Sequence, residues 1–455
     1  MINKIFYSLV LFPDITYNKS ILGYNICGIS ENKFGEIKVI FRNKTKKTII
    51  IFVHNDFKKT DFLYKTKNWQ LFGDDIGLVR HVYDLVIINE INDFNFFKEK
   101  EFYNNIPFGT VLTITSKCNL FCNYCFNEYD YPLKNRNFRN SLSLYEYKKI
   151  VDKLYCAGTR DIIITGGEPL TSSFLFELLE YIKQKGIFIR INTNGTLLFE
   201  NILKKLNDGF SLNLMVSLHE FNNKDYFEIN QKGAISIHGL EEAKSFENKF
   251  ENKFKMLKSI NNYENLTLDF LTILTNKNII NLEKIYEFVL KNFNLENWHF
   301  FRLYSTANCN GISRPMINLA IHKIFKLNKE YDVDFKIVDS VPFCVTKDID
   351  IASKIIDGEL SVNHNVKTII GTEGNIQIMS AFDSNVGNIF ENNILDIWQG
   401  DFIQKMLNNG FLPEECSDCK YKEDCRGGSR MVANMINGSY NSFDSLGDIN
   451  NKITF

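Results

Sequence analysis

The sequence predicts an α/β protein whose centre is a parallel, partly closed (β/α)6 TIM-like barrel. Three patterns predict it. Between residues 106 and 305, short β-branched apolar runs alternate with amphipathic helical stretches, the order that yields parallel strands with crossover helices. Residues with chemical potential fall just after those strands, where such barrels keep their active sites. The alternation is absent on either side, so a β-rich segment (1–105) and a small α+β segment (306–455) are expected to flank it. A chain of 455 residues is expected to hold two or three domains.

Each element has its own signal. Phe6–Phe12, Glu36–Phe41 and Thr48–Val53 are apolar and β-branched, and Asn43–Lys47 reads as a solvated hairpin turn. Asn92–Asn105, polar and studded with Phe, reads as a linker. Val111–Thr115 opens the barrel. Ser143 and Glu146 form a capping box that starts a helix. Asp161–Thr165 is the next strand. A helix near Thr171 follows, with Leu175, Leu178, Leu179 and Ile182 on one face. Ile187–Ile191, Ser211–Ser217, Leu266–Leu274 and Trp298–Tyr304 complete the strands, with a helix marked by Leu282, Ile285 and Val289 between the last two. Phe246, Phe250, Phe254 and Leu257 lie on an amphipathic helix expected to pack on the barrel. Beyond residue 340, Thr368–Met379 reads as a hairpin turning at Glu373-Gly374-Asn375, and Ile394–Leu407 as a helix.

Charge and cysteine usage narrow the function. Lys plus Arg (53) nearly equals Asp plus Glu (54), which argues against a dominant phosphate-binding surface and hence against nucleic acid. No apolar run approaches the ~20 residues of a membrane helix. The first thirteen residues read as a strand rather than a signal peptide, so a cytoplasmic location is expected. Thiols there stay reduced, and clustered cysteines signal metal or redox chemistry. Six of the ten cysteines are clustered.

Cys118, Cys122 and Cys125 form C-x3-C-x2-C directly after a strand. Three thiolates so spaced can hold three corners of a [4Fe–4S] cube and leave the fourth iron open. Gly166-Gly167-Glu168-Pro169 ends the next strand. Its glycines allow backbone to approach a ligand, and its carboxylate can accept from an ammonium group. Cys416, Cys419 and Cys425, followed by Arg-Gly-Gly, form a second metal-type cluster.

With Asn-Thr-Asn-Gly (192–195) and Val-Ser-Leu (216–218), these motifs resemble the radical S-adenosylmethionine (SAM) core over residues 108–305. The resemblance implies a SAM-binding [4Fe–4S] cluster on Cys118, Cys122 and Cys125. It places Tyr124 near the adenine, assigns Gly166, Gly167 and Glu168 to the methionine amine, and makes Asn194 and Ser217 supports for SAM. The implied chemistry is reductive cleavage of SAM to a 5′-deoxyadenosyl radical that abstracts hydrogen, with electrons from a flavodoxin or ferredoxin. Where the family often has Asp, this chain has His219, either a polar substrate contact or a tolerated surface residue.

The C-terminal segment resembles the SPASM/twitch type of auxiliary iron–sulfur domain, again with departures. Met379 and Ser429 stand where that family has Cys, and no Cys follows Cys425. One auxiliary [4Fe–4S] cluster is therefore expected rather than two. Its ligands would be Cys344 with Cys416, Cys419 and Cys425, or the last three with a non-Cys ligand such as Asp444 or Asp448. Structural zinc is the rival occupant. Cys27, Cys156 and Cys309 read as buried thiols, with Cys309 also a candidate extra ligand or hydrogen donor. The resemblance implies a peptide-modifying enzyme that forms a crosslink, an epimer or an oxidised residue. Its alternatives are sulfatase-maturase-like oxidation of a protein, or a non-catalytic iron–sulfur or zinc scaffold. Residues 1–105 would offer a strand edge to the peptide or simply cap the barrel.

Overall fold

The computed structural model describes residues 107–125, 142–219, 252–357, 368–378 and 384–451, apart from 108, 121, 123, 158, 160, 294, 296 and 306–309. Ahead of residue 107 it describes the backbone of strands between residues 20 and 97. The expected strand Phe6–Phe12, the side chains of Phe246 and Phe250, and Cys309 and Met379 lie outside the described residues, as does the side chain of Cys27.

The N-terminal strands are β1 (Ser20–Ile21), β2 (Tyr24–Glu31), β3 (Ile37–Asn43), β4 (Thr48–Val53), β5 (Trp69–Gly73) and β6 (Phe94–Phe97). They form one sheet in that order, antiparallel except for β5–β6. β3 and β4, which flank the Asn43–Lys47 stretch, pair antiparallel with Arg42 opposite Thr48, while residues 44–47 lie outside the described residues. The polar stretch read as a linker instead contains β6, because its Phe-Asn-Phe-Phe run pairs with β5.

The barrel strands are β7 (Gly109–Thr113), β8 (Asp161–Thr165), β9 (Phe188–Thr193), β10 (Leu212–Ser217), β11 (Leu266–Leu274) and β12 (Asn297–Arg302). They pair in parallel in sequence order. β8 and β10 are buried along nearly their whole length, as strands covered on both faces are. Between them run α1 (Leu144–Cys156), α2 (Leu175–Gln184), α3 (Glu200–Gly209) and α4 (Leu282–Asn292), each turning an apolar stripe inward. The Ser143 capping box is formed: the Ser143 N–H donates to Glu146 Oε2 at 2.7 Å, and the Glu146 N–H to Ser143 Oγ at 3.4 Å. Residues 252–259 are helical and bury Phe254 and Leu257 against the barrel, as expected of that segment.

The sheet does not stop at the barrel. α5 (Arg314–Tyr331), an 18-residue helix, leads to β13 (Lys336–Ile337), which adds to β12. β14 (Thr368–Ile370) adds in parallel to β7, and β15 (Asn375–Gln377) and β16 (Asn385–Asn388) continue from it. The hairpin turns at Glu373-Gly374 as expected, and one apolar core runs from Leu112 to Leu446. The stretch Ile394–Leu407 is two helices, α6 (Ile394–Trp398) and α7 (Asp401–Leu407), because Gly400 breaks it. α8 (Arg430–Asn437) closes the C-terminal segment.

One contact ties this scaffold to the loop after β7. The hydroxyl of Tyr147, fully buried on α1, donates to the carbonyl of Thr113 at 3.0 Å. Tyr147→Phe is expected to cost about 1 kcal/mol, read as a lower denaturant midpoint at unchanged slope.

Candidate cluster and cofactor site

The C-terminal ends of β7 to β10 converge on the loop that carries Cys118, Cys122 and Cys125. Gly166 and Gly167 explain how that loop is held. A Cβ on Gly166 would lie 2.3 Å from the Thr115 carbonyl oxygen, and one on Gly167 2.2 Å from that of Lys117. The Gly167 N–H donates to Thr115 O and the Glu168 N–H to Lys117 O, both at 2.8 Å. The two glycines thus admit the cysteine loop itself, not only a ligand.

Glu168 is fully buried. Its Oε1 accepts from Thr193 Oγ1 at 2.8 Å and the Leu170 N–H at 3.1 Å, and its Oε2 from the Asn194 N–H at 2.8 Å. Burial raises its pKa, against the pull of these donors and of the Lys253 ammonium. Asn194 clasps the cysteine loop. Its Nδ2 donates to Asn119 Oδ1 at 2.9 Å, while Asn119 Nδ2 donates to Thr196 Oγ1 at 2.8 Å. Ser217 is half-buried at the end of β10, and its carbonyl accepts from Lys253 Nζ at 2.6 Å. Tyr124 is 7% exposed, between Cys122 and Cys125.

The expectation for His219 as a surface residue is overturned: it is 7% exposed and packs against Tyr124. Burial and the nearby Lys253 charge push its pKa down to about 3. Cys156, expected to be buried, is exposed at the end of α1 on a position facing away from the core.

The second group lies around one cleft. Cys344, Cys416, Cys419 and Cys425 line it together with Phe343 and Tyr421. Burial pushes the thiols of Cys416 and Cys425 up to about 12 and that of Cys344 to about 11. Backbone N–H groups are aimed at the sulfurs: Phe343 donates to Cys425 Sγ at 3.2 Å and Leu120, in the first group, to Cys118 Sγ at 3.4 Å. The Arg426-Gly427-Gly428 run is left-handed throughout (φ 52°, 75° and 80°) and turns the chain sharply after Cys425. Neither Asp444 nor Asp448 is among the residues that line the cleft. Asp444 binds Arg302 Nη1 at 2.9 Å and the Ser429 N–H at 2.8 Å, and Asp448 binds Arg314 Nη1 at 3.0 Å. Among the described residues, no three His, Cys, Asp or Glu side chains gather in the manner of ligands to a metal ion.

Sequence reasoning missed Lys253, Asn119 and Thr193. Lys253 sits in a run of Lys and Glu residues that reads as a solvated face. Asn119 was visible only as a spacer between cysteines.

The donor sets suit iron–sulfur chemistry: thiols with N–H groups aimed at sulfur, beside a buried carboxylate that has about one acceptor position left after three protein donors. Residues 112–289 match the family model described as Radical SAM superfamily. The cofactors of that family are a [4Fe–4S] cluster and SAM. The chain is 39% identical over 135 residues to the probable GTP 3′,8-cyclase of Methanococcus maripaludis strain C5, covering 29% of this chain and 44% of that protein. It is 23% identical over 354 residues to the AdoMet-dependent heme synthase of Methanosarcina barkeri strain Fusaro, covering 74% of this chain and 95% of that protein. Relatives at 38–39% identity are matched over 24–44% of their own length. In fold, the chain is similar to SuiB of Streptococcus suis bound to precursor peptide SuiA, with a TM-score of 0.60, 16% identity, and coverage of 93% of this chain and 99% of that one.

Proposed function

We propose that this chain, which carries a radical SAM domain over residues 112–289, is an enzyme that modifies a peptide through a substrate radical. The observation that carries the reading is the docking of the loop that carries the three cysteines against the buried Glu168 carboxylate and the Asn194 clasp at the ends of β8 and β9. Cys118, Cys122 and Cys125 would hold the first cluster. Glu168 would take the SAM ammonium, and Tyr124, Asn194 and Ser217 would shape the adenosyl side. When bound, the cluster and SAM supply a 5′-deoxyadenosyl radical able to take hydrogen from an unactivated C–H bond. Gly166 and Gly167 hold the loop in place.

In the C-terminal segment, Cys344, Cys416, Cys419 and Cys425 would hold one auxiliary [4Fe–4S] cluster. Four thiols ringing a cleft suit a multi-iron body, whereas zinc at about 2.3 Å from each sulfur would draw them to one point. Ligation by four thiolates would leave such a cluster no open iron and would suit it to electron transfer. A low-potential flavodoxin or ferredoxin would supply electrons to the first cluster.

The peptide class is supported by the likeness in fold to SuiB, which extends over nearly the whole of both chains. The heme synthase relative, matched over 95% of its length, favours a second reading with a tetrapyrrole substrate. Among the described residues, no helix is long and apolar enough to cross a membrane.

The test is 5′-deoxyadenosine release from SAM by the anaerobically reconstituted, reduced protein. Cys122→Ala is expected to lower release by about 100-fold or more, since an iron without its thiolate leaves the cluster unheld. Stimulation by a candidate precursor peptide supports the first reading, and stimulation by an iron porphyrin only supports the second. A fully iron-loaded protein that releases nothing with either would sink catalysis and leave the scaffold reading.

A further inference from the structure

The ladder between β10 and β11 pairs Ser217 with Leu271 at its last step. Beyond it the chain is still held tightly. The Leu218 N–H donates to Leu271 O at 2.8 Å, and the Thr272 hydroxyl donates to Leu218 O. Trp298 Nε1–H donates in turn to Thr272 Oγ1 at 2.8 Å. The next β11 donor, the Ile273 N–H, goes to a side chain: His219 Nδ1 accepts it at 3.1 Å. A neutral imidazole that accepts on Nδ1 carries its proton on Nε2, so both the tautomer and the ring plane are set by the strand.

That fixed ring meets Tyr124 edge to face, with centroids 4.9 Å apart and planes at 72°. Tyr124 lies in the turn that joins two of the three cysteines, closed by Cys125 N–H donating to Cys122 O at 3.2 Å. The β11 strand therefore reaches the turn of the cysteine loop through an aromatic contact.

We propose that His219 is a positioning residue for the cysteine turn: anchored to β11 through Nδ1, it holds Tyr124, and through Tyr124 it sets the placement of Cys122 and Cys125 and the aromatic surface offered to the adenosyl group of SAM. The proposal rests on the radical SAM reading of this site. It assigns no chemistry to the imidazole itself.

The experiment is a double-mutant cycle in the full-length, reconstituted protein with His219→Asn, Tyr124→Leu and the pair. Asn can still accept the Ile273 N–H but has no ring. SAM affinity by titration calorimetry and the EPR spectrum of the reduced cluster with and without SAM are the readouts. His219→Asn is expected to weaken SAM about tenfold, the upper range for an edge-to-face pair, and to alter the SAM-dependent EPR change. In the Tyr124→Leu background the same substitution should add less than about twofold, because its target is gone. His219→Phe keeps the ring and loses the acceptor. It should melt earlier yet bind SAM within about threefold of the parent, since the ring contact carries the effect. Additive losses in the cycle, or a folded His219→Phe protein as weak as His219→Asn, would overturn the proposal. A parent protein whose cluster shows no response to SAM would instead overturn the functional reading beneath it.

Discussion

Gly167→Ala is expected to cost the fold roughly 3–5 kcal/mol and to leave the first cysteine group without its cluster. The added Cβ would sit 2.2 Å from Lys117 O, 2.5 Å from Lys117 C and 2.8 Å from Ser116 O. All three are backbone atoms, so no rotamer change relieves the clash. The loop must withdraw from β8. Withdrawal breaks the N–H donations from Gly167 to Thr115 and from Glu168 to Lys117, each at 2.8 Å, and leaves the buried Glu168 N–H and Thr115 carbonyl without these partners. It also moves Cys118, one residue beyond Lys117. Iron per chain in the reconstituted protein should fall from about eight to about four, with the remainder in the C-terminal cleft. Gly209→Ala is the control, because nothing lies within 4 Å of its added Cβ. A Gly167→Ala protein with full iron and an unchanged melting temperature would show that the loop is not docked as described.

That clash shows where reading the sequence stops. Strands with continuous apolar runs were legible to the residue: Asp161–Thr165, Leu266–Leu274 and Thr48–Val53 are strands with those bounds. The Ser143 capping box was legible because it is local, three residues from end to end. α5 was not foreseen, since its buried Ile317, Ile321, Ile324 and Leu327 are interleaved with Lys and Asn that blur the stripe. Gly166-Gly167 was legible as a motif, but the atoms it admits belong to another strand end, some fifty residues back. The grouping of Cys344 with the later three thiols was one of two open arrangements. What tertiary contacts add is that all four thiols line one cleft while Asp444 and Asp448 pair with Arg302 and Arg314, which no local pattern reveals. His219 failed as a surface residue for the same reason. Its burial comes from Tyr124 and Ile273, and neither is near it in sequence.

Asp444→Ala is expected to destabilise the protein by about 3–5 kcal/mol and to empty the C-terminal cleft before the first site. Asp444 is fully buried and Arg302 is 5% exposed, at the last position of β12. The carboxylate takes Arg302 Nη1 at 2.9 Å on Oδ2, along with the Ser429 N–H at 2.8 Å, and the Leu446 N–H at 3.0 Å on Oδ1. Removing it leaves a guanidinium buried beside Ser340 O alone on that nitrogen and orphans two backbone donors. Ser429 caps α8, and the preceding Cys425-Arg-Gly-Gly turn delivers a thiol to the cleft, so the loss propagates to iron binding there. Asp444→Leu combined with Arg302→Met should recover much of the stability, because it removes the unpaired charge together with its partner. The three proteins are compared by thermal unfolding and by iron per chain. If Asp444→Ala melts like the parent, or if the double variant is no better than the single, the buried ion pair does not join β12 to the auxiliary site. The opposite pattern would make Arg302–Asp444 the tie between β12 and the C-terminal cleft, held independently of the first cysteine loop: Gly167→Ala should cost iron at the first site and spare the second, and Asp444→Ala should do the reverse.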